Sequence, residues 1–167
     1  FNPHKWMFTN FDCSAFFIRH PDLLIRTFEI LPEYLRTRTR GTVNDYRDWG
    51  VPLGRRFRAL KLWSVIRMYG TDALREKVRM HIQIAGQLAD MMSKEPDFEI
   101  MAPVVLNVVC FRYRPEGCGE EELNHTNETL NHRLNDSGRI YLTHTVLSGR
   151  YALRMVTGQT NVTIDHV

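Results

Sequence analysis

Apolar and polar positions along the chain fall into stretches of different period. Leu74, Val78, Ile82, Ala85, Leu88 and Met92 recur at a 3.6-residue spacing. They predict an amphipathic helix running to about Lys94, where Glu95-Pro96 stops it. Upstream, Phe57, Leu60, Ser64, Val65 and Met68 predict a helix over Arg55–Met68. Gly70 ends that helix and Thr71 N-caps the next. Trp6–Arg19 is aromatic and β-prone around an Asn10/Asp12 turn and predicts two short strands. Asp22–Thr27 predicts a short helical piece. Glu29–Trp49 holds no period and reads as a long, polar, mobile loop.

The second half changes character. Phe98–Met101 and Val104–Tyr113 predict strands, the latter apolar enough to lie centrally in a sheet. Glu120–Leu134 predicts a helix with Leu123, Leu130 and Leu134 inward. Ile140–Val146 and Tyr151–Val156 predict a hairpin around Ser148-Gly149, and Thr160 is expected to cap a last helix. Together these give a compact α+β unit with an antiparallel sheet, with a boundary near residues 60–72.

Composition adds limits. With 167 residues and 43% hydrophobic content the chain can build a core. It starts at Phe1 and stops at what reads as the first turn of a helix, so a fragment of a longer chain is expected. No apolar run approaches membrane-spanning length, and no secretory leader is visible. Three cysteines without metal-like spacing suggest free thiols in a reducing, cytoplasmic setting. The N-x-S/T sequons at Asn124, Asn127, Asn135 and Asn161 read as coincidental there.

Net charge is only +3, but it is uneven. Between Arg36 and Arg79 lie twelve basic and four acidic residues, a stripe suited to nucleic acid, anionic substrates or internal carboxylates. Eighteen of the 22 basic residues are arginine, which makes each lysine conspicuous. No histidine pair has a third ligand at metal spacing, so no metal site is expected.

Three segments carry candidate chemistry. In Asn2-Pro3-His4-Lys5-Trp6, Lys5 sits among apolar neighbours that partial burial would turn into an amine nucleophile. The alternative is a lysine at a strand end with its head in water. In Pro32-Glu33-Tyr34-Leu35, Tyr34 is either a proton donor delivered by a closing loop or a ring that anchors the loop. In Pro52-Leu53-Gly54-Arg55-Arg56-Phe57, Gly54 is expected to open a helix and allow close approach. Arg55 and Arg56 would then lie at the helix end unfavourable to cations.

These segments occur together with Asn10-Phe11-Asp12-Cys13-Ser14, Asp45-Tyr46-Arg47-Asp48-Trp49, Lys61-Leu62-Trp63 and Arg67-Met68-Tyr69-Gly70. In that order and spacing they resemble the group II pyridoxal-phosphate decarboxylases, most closely the aromatic-L-amino-acid decarboxylases. The resemblance implies an α/β chain of the PLP-dependent transferase fold type I (aspartate aminotransferase-like). Residues 1–60 would be the end of the large PLP-binding domain, with a mobile catalytic loop at about 29–49. Residues 61–167 would be linking helices and the small C-terminal α+β domain.

The resemblance also implies roles. Lys5 matches the lysine that forms the internal aldimine with pyridoxal 5'-phosphate. Asn2 lies where the family places a phosphate contact, and His4 lies beside the cofactor and substrate pocket. Tyr34 matches the loop tyrosine that protonates Cα after decarboxylation. Leu53 and Gly54 match pocket-lining positions presented across a homodimer interface. Relatives that make aldehydes can carry phenylalanine at the Tyr34 position, and histidine decarboxylases tend to carry serine at the Gly54 position. The implied activity is therefore decarboxylation of an aromatic L-amino acid to an arylalkylamine and carbon dioxide. The alternatives are a decarboxylase of another amino acid, an aldehyde synthase of the same family, or a basic nucleic-acid-binding module built on the arginine stripe.

Overall fold

The computed structural model describes residues 1–30 and 42–167. The chain divides into two compact units, Phe1–Met68 and Tyr69–Val167. Each is described by itself.

The first unit begins with a single helical turn, α1 (Pro3–Trp6), with Pro3 at a first-turn position where its missing N–H is no loss. Helix α2 (Pro21–Phe28) also starts on a proline and packs on a 3-10 turn at Tyr46–Trp49. The predicted short helix at Asp22–Thr27 is therefore present. The two strands predicted over Trp6–Arg19 are not. Pro3–Trp6 is helical, and residues 7–20 form no strand. A strand needs a neighbour to take its backbone hydrogen bonds. Here the pairing is short and local: Phe1 and Ala15 exchange both, at 2.9 and 2.8 Å, the His4 N–H donates to the Cys13 carbonyl, and the Met7 and Thr9 N–H groups turn back to the Pro3 carbonyl.

Helix α3 (Ala59–Met92) starts later than its apolar spacing predicts. The Leu60 and Lys61 N–H groups reach back only three residues, to the Phe57 and Arg58 carbonyls, and this tight turn is the helix entry. Gly54 thus lies in a bend and opens no helix, and Arg55 and Arg56 lie outside the first turn. Their expected conflict with the helix dipole does not arise. At Gly70 the backbone leaves helical geometry with φ 77 and ψ 160, which a residue with a Cβ rarely adopts.

The second unit is a four-stranded antiparallel sheet in the order β1 (Phe98–Ile100), β2 (Val108–Tyr113), β4 (Arg150–Val156), β3 (Thr143–Leu147). Helix α4 (Glu120–Asp136) packs on β2 and β4. Ala85 and Leu88 of α3 meet Val109 and Phe111 of β2, Leu153 and Met155 of β4, and Leu142. Leu130 and Leu134 of α4 close around them. The predicted sheet unit and its α4 face are present, with three trims. Residues 104–107 precede the β2 ladder, β3 begins at Thr143 rather than Ile140, and the last helix is only a 3-10 turn, Ile164–His166, capped by Thr163 rather than Thr160. The β3–β4 hairpin turns at Ser148 and Gly149, both at positive φ (52 and 79), as the right-handed strand twist favours in a two-residue turn.

Polar groups fix the register. Arg112 of β2 is 1% exposed and donates to Glu99, its direct cross-strand partner, and to Glu120 in the first turn of α4, both at 2.8 Å. One guanidinium thus joins β1, β2 and α4. It holds the Glu120 carboxyl below the usual carboxylate range, while the carboxylates raise Arg112 further. Asn127, fully buried, takes the place of a strand neighbour. Its Oδ1 accepts from the Tyr113 N–H at 2.7 Å and its Nδ2 donates to the Tyr113 carbonyl at 2.8 Å. Asn124 treats Tyr151 and Gly149 alike, and Asn135 treats Leu142 so. Three of the four sequon asparagines are thus engaged in folding contacts.

On α3 the buried positions are Leu74, His81, Ile84, Ala85 and Leu88. The apolar pattern places Val78 and Ile82 near the centre of this face; both are only half-buried, and His81, fully buried, takes the core position. Its backbone carbonyl accepts from Thr157 Oγ1 at 2.8 Å. Burial pushes the His81 imidazole below its usual pKa.

Two outcomes follow for stability. Glu99→Gln with Glu120→Gln strands a buried guanidinium and is expected to cost about 3 kcal/mol or more in denaturant unfolding. Arg112→Met is expected to cost less, because the carboxylates it leaves are half-exposed and reach water. The reverse order would contradict the hub. For His81, the unfolded chain takes up a proton as pH falls through about 6.5 while the folded chain does not. Stability should therefore be full above that pH and fall below it, until the lowered folded pKa is reached. The slope is at most about 1.4 kcal/mol per pH unit for one proton. His81→Gln should flatten that slope in unfolding curves taken across the window.

Candidate active site

The candidate lysine stands on α1. Lys5 is exposed, so the apolar neighbours in sequence do not desolvate it within this chain. Its ammonium makes no hydrogen bond or ion pair among the described residues. Lys61 differs, with Nζ donating to the Phe11 carbonyl at 3.0 Å.

The residues flanking Lys5 are tied to the segment 13–15. Asn2 Oδ1 accepts a hydrogen bond from Ser14 Oγ at 2.6 Å. His4 Nδ1 lies 3.1 Å from the Cys13 nitrogen and 2.8 Å from the Cys13 oxygen. With the proton on Nε2, Nδ1 accepts from the Cys13 N–H. With the proton on Nδ1, it donates to the Cys13 carbonyl. Either tautomer fixes the ring, and Phe11 meets it edge-on at 5.0 Å. Pro3, Thr9 and Cys13 are buried beneath this turn.

The turn at 11–13 is held in its own right. Arg58 Nε donates to Asp12 Oδ2 at 2.9 Å, and the Cys13 thiol reaches the Arg58 carbonyl at 3.7 Å. The Arg58 guanidinium keeps the Asp12 carboxyl below the usual range. The sequence motif Asp12-Cys13-Ser14 carried no role by spacing. The structure gives each of its residues one: Cys13 and Ser14 fasten His4 and Asn2, and Asp12 ties the 11–13 turn to Arg58. Only their distance from Asn2 and His4 hid them, since a contact across nine to twelve residues of irregular chain leaves no period to read.

The other candidates are placed less closely. Leu53 and Gly54 are exposed in the bend before α3, and among the described residues no atom beyond its chain neighbours lies within 4 Å of where a Gly54 Cβ would be. No hydrogen bond or ring contact among the described residues joins them to Lys5. Tyr34 lies outside the described residues, as does much of the predicted loop. At the loop's end, Arg47 pairs with Asp45 and Asp48 at 3.8 and 3.5 Å, and Tyr46 meets Trp49. Several arginines of the basic stripe are thus taken up by carboxylates: Arg47, Arg58 with Asp12, Arg75 with Asp72 and Arg79 with Glu76.

Among the described residues no group of three His, Cys, Asp or Glu side chains is placed to hold a metal ion, and no helix is long and apolar enough to cross a membrane. A groove of about 520 Å³ in the second unit, between the β1–β2 edge and α4, contains none of the candidate residues.

The chemistry left open on α1 is specific. Among the described residues, Lys5 Nζ, Asn2 Nδ2 and His4 Nε2 meet no hydrogen-bond partner, so the turn presents an amine, an amide and an imidazole nitrogen. The chain belongs to the pyridoxal-dependent decarboxylases: the family's conserved domain matches residues 1–114. It is 40% identical over 168 residues to phenylacetaldehyde synthase of Arabidopsis thaliana, covering 99% of this chain and 34% of that protein. To the aromatic-L-amino-acid decarboxylase of Cavia porcellus it is 41% identical over 169 residues, covering 100% of this chain and 34% of that one. The solved structure of Oryza sativa TDC with PLP and tryptamine matches with TM-score 0.92 and 37% identity, over 99% of this chain and 35% of that chain. The fold is therefore that of a portion of the PLP-dependent fold type I enzymes, and the chain spans about a third of the length of the relatives it matches.

Proposed function

We propose that the intact protein is a PLP-dependent carboxy-lyase that converts an aromatic L-amino acid to its arylalkylamine and carbon dioxide. The observation that carries this reading is the α1 turn: an exposed Lys5, without a hydrogen bond or ion pair among the described residues, next to a fixed His4 and on the same turn as a tethered Asn2, in a chain of the decarboxylase family. Lys5 would hold the cofactor covalently through Nζ, Asn2 would donate Nδ2 to its phosphate, and the His4 ring would wall the cofactor and substrate pocket. When bound, pyridoxal 5'-phosphate supplies an electron sink for the pair left at the substrate Cα as carbon dioxide departs.

The protein's task is then to orient the substrate, exclude water and return one proton to Cα. The Tyr34 hydroxyl is the proposed donor of that proton, carried on the segment 29–49. Leu53 and Gly54 are proposed to line the substrate pocket of a partner subunit in a homodimer, for which their exposure within this chain leaves them available. The lack of a side chain at Gly54 leaves room for an indole, catechol or phenol ring. In this reading residues 1–60 close the large domain, residues 61–167 form the linking helices and small domain, and the enzyme works in the cytoplasm.

A second reading is favoured by one finding: an aldehyde synthase is as similar to the chain as the decarboxylases are. That reaction consumes dioxygen and water and releases aldehyde, ammonia and hydrogen peroxide with the carbon dioxide. Tyr34 favours the non-oxidative course. The intact protein is expected to release amine and carbon dioxide in equal amounts with little peroxide. Tyr34→Phe should keep cofactor absorbance and lose amine formation about a hundredfold or more. Aldehyde and peroxide as main products of the unmodified protein would establish the second reading. Unchanged amine output from Tyr34→Phe would remove Tyr34 as the donor.

A further inference from the structure

We infer that Ser14 is a positioning residue for the cofactor phosphate, acting through Asn2; this rests on the proposed cofactor role of the α1 turn. A carboxamide has two ends of opposite character, and an unrestrained one presents its oxygen or its NH2 with little preference. Only the NH2 end can donate to a phosphate dianion; the oxygen end would repel it. Ser14 Oγ lies 2.6 Å from Asn2 Oδ1, and because a carboxylic amide oxygen only accepts, the hydroxyl must be the donor. That bond occupies the oxygen and turns Nδ2 to the opposite side, where it meets no partner among the described residues.

Ser14 itself is held by the chain on both sides. The Ala15 N–H donates to the Phe1 carbonyl at 2.8 Å and the Phe1 amino group donates to the Ala15 carbonyl at 2.9 Å. Cys13 is fixed to His4 as described. The hydroxyl therefore approaches Asn2 from a backbone that cannot drift from it. Ser14 is exposed and supports no core packing, so its side chain has no other visible task.

The test is cofactor affinity of the intact apoprotein, read by fluorescence titration with pyridoxal 5'-phosphate and, in parallel, with pyridoxal, which lacks the phosphate. Ser14→Ala should weaken pyridoxal 5'-phosphate binding about fivefold, the equivalent of one ordinary side-chain hydrogen bond. It should leave pyridoxal binding unchanged. Ser14→Thr, which keeps the hydroxyl, should restore the affinity. In an Asn2→Ala background, Ser14→Ala should have no further effect. If Asn2→Ala weakens binding but Ser14→Ala does not, the positioning role is wrong and the cofactor site stands. Equal loss for pyridoxal and its phosphate would also overturn it. If Asn2→Ala itself leaves affinity for the phosphate form unchanged, the assignment of Asn2 in the underlying site fails as well.

Discussion

The first unit depends on the backbone pairing of residues 1–4 with residues 13–15. Phe1 exchanges both backbone hydrogen bonds with Ala15, and His4 gives its N–H to the Cys13 carbonyl. This lashing makes a four-residue helical turn a defined platform. So short a helix has little stability of its own, because helix nucleation is unfavourable. With both ends tied, the side chains of Asn2 and His4 are oriented from outside the turn, and Lys5 is exposed on the same turn as two groups that are already placed. Arg58, Lys61 and the Asp12 carboxylate extend the lashing to the start of α3. A reactive amine on an exposed loop is ordinary. An amine on a turn with pre-positioned polar groups, without an ion pair among the described residues, fits the proposed attachment of a covalently held cofactor.

The second unit solves a different problem. Its strands are short, and two of them end where a neighbour is missing. Asn127 and Asn124 complete these ends with side-chain amides, each mimicking the donor and acceptor of a strand residue. Arg112 ties the edge strand and α4 into the same sheet at the cost of burying a charge. An apolar side chain could fill that space, but it would not fix the register of β1 on β2 against α4.

Much of this was legible in the residues. The 3.6-residue pattern after Gly70 and the paired apolar runs after Phe98 predict α3 and the sheet, because local periodicity and burial agree there. The strands expected at Trp6–Arg19 failed because β-propensity states which residues suit a ladder, not whether a neighbour exists to form one. The helix start at Arg55 failed because apolar spacing alone does not see where backbone N–H groups turn back. His81, Arg112 and Asn127 carry no core signal in the sequence, because polar residues in a core become visible only with their partners. For the site, order and spacing of short motifs pointed to Lys5, Asn2 and His4. The fasteners Cys13 and Ser14, and the Asp12–Arg58 pair beside them, needed the fold, since their contacts cross irregular chain.

Lys5 is the proposed point of covalent attachment for pyridoxal 5'-phosphate. The chain holds three other lysines, Lys61, Lys77 and Lys94, of which Lys61 is already committed to the Phe11 carbonyl. The most direct measurement is to load the intact protein with the cofactor, reduce it with borohydride, digest it and locate the added phosphopyridoxyl mass. The expected result is a single labelled peptide, modified on Lys5. A label on any other lysine, with Lys5 unmodified, would contradict it.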